Sequence, residues 1–162
     1  QFIPAVQKGV KQVLSDGAVA GYPLQDVRVI VYDGKHHPVD SKEVAFVAAG
    51  KRAFVDAIAK AKPIVLEPVA KLEITTPNES VGDITGHLSG IRGRIAGSDV
   101  VPGNRVRISA QVPLAELGDY QTTLKSLTGG EGIFTLEFDH YETAPAPVQK
   151  QLENEFRPTG EA

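Results

Sequence analysis

Cysteine, methionine and tryptophan are all absent from the 162 residues, and the aromatics that remain are four tyrosines and six phenylalanines. Without cysteine the chain forms no disulfide, offers no thiolate nucleophile and builds no cysteine-bearing zinc site. Long apolar runs are missing too. No stretch approaches the roughly 18 residues that a membrane span requires, and no basic segment precedes an apolar one as in a secretion signal. These absences point to a cytoplasmic protein with no membrane partner. Methionine is missing even from position 1, where Gln1 runs directly into a helical apolar pattern, and we expect a piece of a larger protein.

What is present fits an ordinary globular chain. At 41% hydrophobic and 23% charged, the composition supports a packed core and excludes disordered and collagen-like classes. The net charge of −3 is unevenly spread. Residues 1–65 hold nine Lys and Arg against six acids, whereas residues 66–162 hold eight against fourteen. A basic part beside an acidic part is compatible with a nucleic-acid-facing region, and equally with plain surface composition.

Ile3, Val6, Val10, Val13 and Leu14 recur at helical spacing, with Pro4 in the first turn and Gly17 just past the end. Val27, Val29 and Val31 then alternate with Arg28, Ile30 and Tyr32, which predicts a strand ending at Asp33-Gly34. After a loop from Lys35 to Val39, Asp40 precedes Glu43 at capping-box spacing, and Val44, Val47, Phe54, Val55 and Ile58 mark the expected buried side of a helix reaching about Ala61. One strand between two amphipathic helices is not a stable sheet, so this part is expected to be incomplete.

Pro63 and Pro68 bracket a short apolar run, where we place a boundary between residues 1–63 and 64–144; residues 145–162 read as a C-terminal helix and tail. Val69 to Thr75 reads as a strand. Thr76-Pro77-Asn78-Glu79 has the form of a helix N-cap, with Val81, Ile84 and Leu88 on one face. A hairpin turns at Pro102-Gly103-Asn104, and Val106, Ile108, Ala110 and Val112 alternate with polar residues. Leu114, Leu117, Tyr120, Leu124 and Leu127 mark a second helix, and Phe134, Leu136, Phe138 and His140 share one face of a final strand. The order βαββαβ is that of a ferredoxin-like plait in the α+β class.

Few residues form a frame for chemistry. Adjacent His36 and His37 on an extended segment point to opposite sides and make a poor pair of ligands for one metal, so no metal site is expected. Their loop reads either as a plain exposed turn or as a projection offering ring nitrogens and Lys35 to RNA. Gly129-Gly130-Glu131-Gly132 lacks the lysine of a phosphate loop and precedes a strand, so we read it as a turn needing positive φ. Arg92 and Arg94 straddle Gly93 at a helix-to-strand corner and could grip phosphates. No nucleophile-elbow spacing exists, and the strand over residues 105–112 has no aromatic on which a base could stack.

The residues nonetheless resemble a known family. Ile3-Pro4-Ala5-Val6, Ala20-Gly21-Tyr22-Pro23, Tyr32-Asp33-Gly34, His37 with Val39-Asp40-Ser41, and Ala45-Phe46 resemble the second half of domain IV of bacterial elongation factor G. Leu66-Glu67-Pro68, Thr76-Pro77, Val112-Pro113-Leu114-Ala115-Glu116 and Phe138-Asp139-His140-Tyr141-Glu142 resemble its domain V. The resemblance implies a non-enzymatic region of a translational GTPase that binds the ribosome and promotes tRNA–mRNA translocation, with GTP and Mg2+ held elsewhere in the parent protein. It implies that Gly34, Lys35, His36 and His37 form a tip entering the A site on the decoding side of the ribosome, and that Arg92, Gly93 and Arg94 lie near the rRNA of the large subunit. It assigns no cofactor or catalytic residue to these 162 positions.

Three departures from the family pattern stand out. Ile91 replaces the first of two consecutive arginines, Glu131 replaces the arginine of a Gly-Arg-Gly turn, and Leu117-Gly118-Asp119-Tyr120 replaces Met-Phe-Gly-Tyr. They resemble the divergent, elongation-factor-G-like branch. Competing readings are a ribosomal-protection paralogue and a non-catalytic ligand-sensing or scaffold plait; an acylphosphatase-like hydrolase would need an arginine-bearing anion loop that Thr75 to Asn78 do not offer. The lone strand over residues 24–32 would also leave edges able to pair with a second copy.

Overall fold

The computed structural model describes residues 2–39 and 42–156. Two compact units divide the chain: Gln1–Val65 together with Pro145–Ala162, and Leu66–Ala144. The boundary lies two residues beyond the sequence reading, and the C-terminal stretch groups with the first unit.

The first unit contains α1 (Ile3–Asp16) and α2 (Glu43–Lys60). Pro4 occupies the first turn of α1, where no amide donor is needed, and Gly17, at φ 88°, closes the other end by donating its N–H to Val13 O at 2.9 Å. Contacts step up both helices together. Phe2 stacks on Phe46, Val6 abuts Gly50, and Val10 and Val13 bury against Phe54 and Ile58. The helices therefore run parallel, with their N-termini at one end. Their approach is close because Gly9 and Gly50 present no side chain: a Cβ on Gly9 would stand 2.2 Å from Val47 O, and one on Gly50 2.7 Å from Val6 O. Leu14, Ala18, Val19 and Leu24 extend the small core, and Leu24 N–H donates to Leu14 O at 2.9 Å.

Two expectations for this unit are corrected. Val27–Tyr32 forms no strand: no other segment in residues 2–39 or 42–65 offers it a ladder, and a strand exists only through its partner. The alternation survives as exposure, with Val29 at 39% and Ile30 and Tyr32 at 70% and 93%. On α2, Val44 and Val55 face outward, because the contact stripe set by α1 runs through Gly50, Phe54 and Ile58. Asp40, read as the helix cap, lies outside the described residues. Helix α5 (Ala146–Glu155) completes the unit; Gln149 Oε1 accepts from Val65 N at 3.3 Å, and the ring of Phe156 packs over Gly21.

The second unit is the expected plait. β1 (Leu66–Pro77), α3 (Val81–Gly90), β2 (Arg94–Val101), β3 (Arg105–Pro113), α4 (Tyr120–Leu127) and β4 (Ile133–Thr143) give an antiparallel sheet of order β2-β3-β1-β4. Leu72, Ile74, Ile84, Leu88, Ile108, Val112 and Leu124 are buried essentially completely, which is the period-2 pattern of the strands meeting the period-3.6 pattern of the helices. Tyr120 sits between α3 and β4, its ring edge-on to Phe134 at 5.2 Å, and burial pushes its phenol pKa up to about 12.

Local details differ from the sequence reading. Thr76 belongs to β1 and donates its hydroxyl to Pro77 O, so it caps nothing; α3 opens instead through a 3-10 turn over Asn78–Ser80. The second helix begins at Tyr120, preceded by a separate 3-10 turn Leu114–Leu117 that leaves Leu114 exposed. On β4, Leu136 and Phe138 oppose core residues Leu72 and Ala70 yet remain exposed. Gly129 and Gly130 do adopt positive φ, at 59° and 89°, as the turn reading requires.

Replacing Gly9 with alanine forces α1 and α2 apart, and we expect a loss of about 1–3 kcal/mol in urea unfolding. Gly86→Ala in α3, where a Cβ meets nothing within 4 Å, gains about 0.4–1 kcal/mol in the same measurement.

Candidate functional site

The parallel course of α1 and α2 gathers three features at one end of the first unit. Both helix N-termini lie there, neither with a side-chain capping bond among the described residues, and so does the loop holding Gly34, Lys35, His36 and His37. The loop is fixed by the ring of His36, 5.9 Å from that of Phe2, which in turn stacks on Phe46 at 4.2 Å and 8°. Asp33 accepts the Gly34 N–H at 2.8 Å, and the Nδ1 of His37 accepts from Val39 N at 3.4 Å. The adjacent rings are thus engaged separately, one by an aromatic neighbour and one by the backbone. Lys35 and Lys42 stand beside this end, with Glu43 in the first turn of α2. Aligned peptide dipoles leave positive potential at such a helix end, and the lysines add to it.

Sequence reasoning missed Phe2 and Phe46. The available signal was two of only six phenylalanines falling at the starts of the two helices, but their meeting depends on the parallel packing.

In the second unit Arg92, Gly93 and Arg94 form the corner between α3 and β2. Arg92 is held at φ 61° and turns inward as a fork: Nη1 and Nη2 donate to Glu67 Oε1 and Oε2 at 2.7 and 2.9 Å, and Nε donates to Glu116 Oε1 at 3.1 Å. Hydrogen bonding to Glu67 raises its already high pKa further, so the cation is permanent. Gly93 N–H is taken by Leu88 O at 2.7 Å, and a Cβ at Gly93 would stand 2.7 Å from the same oxygen. Arg94 remains more open, at 58% side-chain exposure, while donating to Gln111 Oε1 at 3.3 Å and to Glu142. The structure thus separates the two arginines that the sequence treated as a pair.

Glu142 links this corner to His140, whose Nε2 lies 2.7 Å from Glu142 Oε1 and whose Nδ1 lies 2.6 Å from Asp139 Oδ2. Only the imidazolium can donate from both nitrogens, so hydrogen bonding to Glu142 and then Asp139 raises the His140 pKa above its ordinary value. Arg94 first, then His140, lowers that of Glu142.

Comparison with known proteins identifies both units. Residues 1–62 match the family described as elongation factor G, domain IV, and residues 64–152 match the elongation factor G C-terminus. Elongation factor G of Aquifex pyrophilus is 47% identical over 94% of this chain and 22% of its own length. That of Petrotoga mobilis is 48% identical over 94% and 22%, and an elongation factor G-like protein of Thermotoga maritima is 42% identical over 96% and 23%. A crystal structure from Thermus thermophilus superposes with a TM-score of 0.73 at 39% identity, over 95% of this chain and 23% of that one. The chain spans about a fifth of the length of the curated relatives it matches.

Arg92→Ala leaves Glu67 as an unpaired carboxylate with only 10% side-chain exposure, and we expect a loss of about 3 kcal/mol in urea unfolding. Glu116→Ala, which removes a partly exposed partner, costs under about 1 kcal/mol. Because folding raises the His140 pKa, its contribution is complete below the unfolded imidazole range and fades as pH rises through the raised value. The thermal midpoint of His140→Gln accordingly approaches that of the parent chain as pH rises above the ordinary imidazole range.

Proposed function

The chain belongs to the elongation factor G family, and from that premise we propose that it is the ribosome-binding region of a translational GTPase that promotes GTP-dependent tRNA–mRNA translocation in the cytoplasm. Gly34, Lys35, His36 and His37 form the tip that enters the decoding-side A site and meets tRNA and mRNA. The corner at Arg92, Gly93 and Arg94 lies near the rRNA of the large subunit, with Arg92 shaping it and Arg94 supplying the outward charge. No catalytic role falls to residues 1–162; GTP and Mg2+ act through other parts of the full-length protein.

One observation carries this reading: two parallel helices deliver their N-termini, Lys35, Lys42 and both histidines to the same end of one unit. Phosphate groups are bound well by such an arrangement, since helix dipoles and side-chain cations act together. Positioning against a polyanion is the chemistry that these charges and helix ends support. No helix among the described residues is long and apolar enough to cross a membrane.

The chain is expected to co-sediment with ribosomes and to lose affinity as KCl rises, because each neutralised phosphate releases counterions. In the full-length protein, Lys35→Ala with His37→Ala slows single-turnover translocation while GTP hydrolysis stays nearly constant. Translocation at the parent rate in that double variant would remove the tip assignment.

A further inference from the structure

The end of the first unit that carries the positive charge also carries three rings that its core does not use. The buried cluster consists of Val10, Val13, Phe54 and Ile58 with their neighbours, and neither Phe2 nor Phe46 belongs to it. Both are half-buried, stacked almost parallel, and His36 leans on Phe2 at 46° from the exposed loop. The stack stands partly open to solvent at the helix end. A planar ligand would use it.

We propose that His36, Phe2 and Phe46 form a stacking platform for an unpaired nucleobase of RNA, with His36 as the outer tier. The proposal rests on the reading above that this end meets RNA, and it adds a recognition mode that charge alone does not provide. Bases splayed out of single-stranded RNA stack on aromatic and imidazole rings regardless of sequence, because every base has a π-face. The phosphates flanking such a base fall within the field of Lys35, Lys42 and the two helix N-termini. Asp33 is turned to the Gly34 N–H, which keeps its carboxylate engaged with the backbone; Glu43, in the first turn of α2, disfavours a second phosphate on its own side. The exposed imidazole of His36 leans on the ring of Phe2, which is backed in turn by Phe46, and offers a flat face to a base.

The test uses two short single-stranded oligoribonucleotides with equal numbers of phosphates, one intact and one with abasic ribose at alternate positions. Fluorescence anisotropy with the 162-residue chain reads their affinities. The intact RNA is expected to bind about tenfold more tightly. His36→Ala, at an exposed position that leaves folding intact, removes that preference, and His36→Phe keeps it. Equal binding of both RNAs by the parent chain, with Lys35→Ala weakening both alike, overturns the platform and leaves the RNA-facing tip standing. A preference that survives His36→Ala likewise overturns it. Absence of salt-sensitive binding to either RNA overturns both the platform and the reading it rests on.

Discussion

The distance between α1 and α2 governs the first unit. Gly9 and Gly50 let one backbone press against the other, so that the helices run together closely enough for Phe2 to reach Phe46 and for His36 to lean on Phe2. A side chain at either glycine would part the helices, and with them the rings. Every property of the charged end, from the shared direction of the dipoles to the position of the loop, therefore descends from two missing side chains in the middle of the helices. The link from sequence to site passes through packing and not through a motif.

The second unit solves a different problem with its charges. Arg92 adopts a backbone conformation that ordinary residues avoid, and the fork to Glu67 with the added bond to Glu116 holds it there. One cation thus joins the start of β1, the corner after α3 and the turn before α4. Arg94, two residues on, makes its bonds across the strands to Gln111 and Glu142 and stays open to solvent. Two arginines of the same local sequence have different work because Gly93 tucks against Leu88 between them.

Much of the plait was legible in the sequence. Val106, Ile108, Ala110 and Val112 alternate because one side of β3 is covered by helices, and Ile84 and Leu88 repeat because one side of α3 covers it. What escaped was whatever depends on a partner distant in sequence. Val27, Val29 and Val31 recur at strand spacing, yet without a ladder the segment makes no strand. Val44 and Val55 fit a helical stripe, but which stripe is buried was decided by Gly9 and Gly50. The inward turn of Arg92 required Glu67, 25 positions earlier, and the stacking of Phe2 on Phe46 required the helices to be parallel. Of the candidate site, the loop could be read from the residues; the rings beneath it and the distinction between Arg92 and Arg94 could not.

The interior place of β1 has a consequence for how the protein is made. It is the first strand of the plait to be synthesised, and it is hydrogen-bonded on both edges, with Leu72 opposite Ala110 on one side and Leu136 on the other. Both partners emerge later, the outer one not until Ile133–Thr143, so β1 leaves the translating ribosome with neither edge satisfied. The sheet cannot close until its last strand is free of the exit tunnel, and the entropy of closing that long loop must be met all at once. The unit thus folds as a late, single event during synthesis, while the helix pair ahead of it is already complete in sequence and free to assemble first.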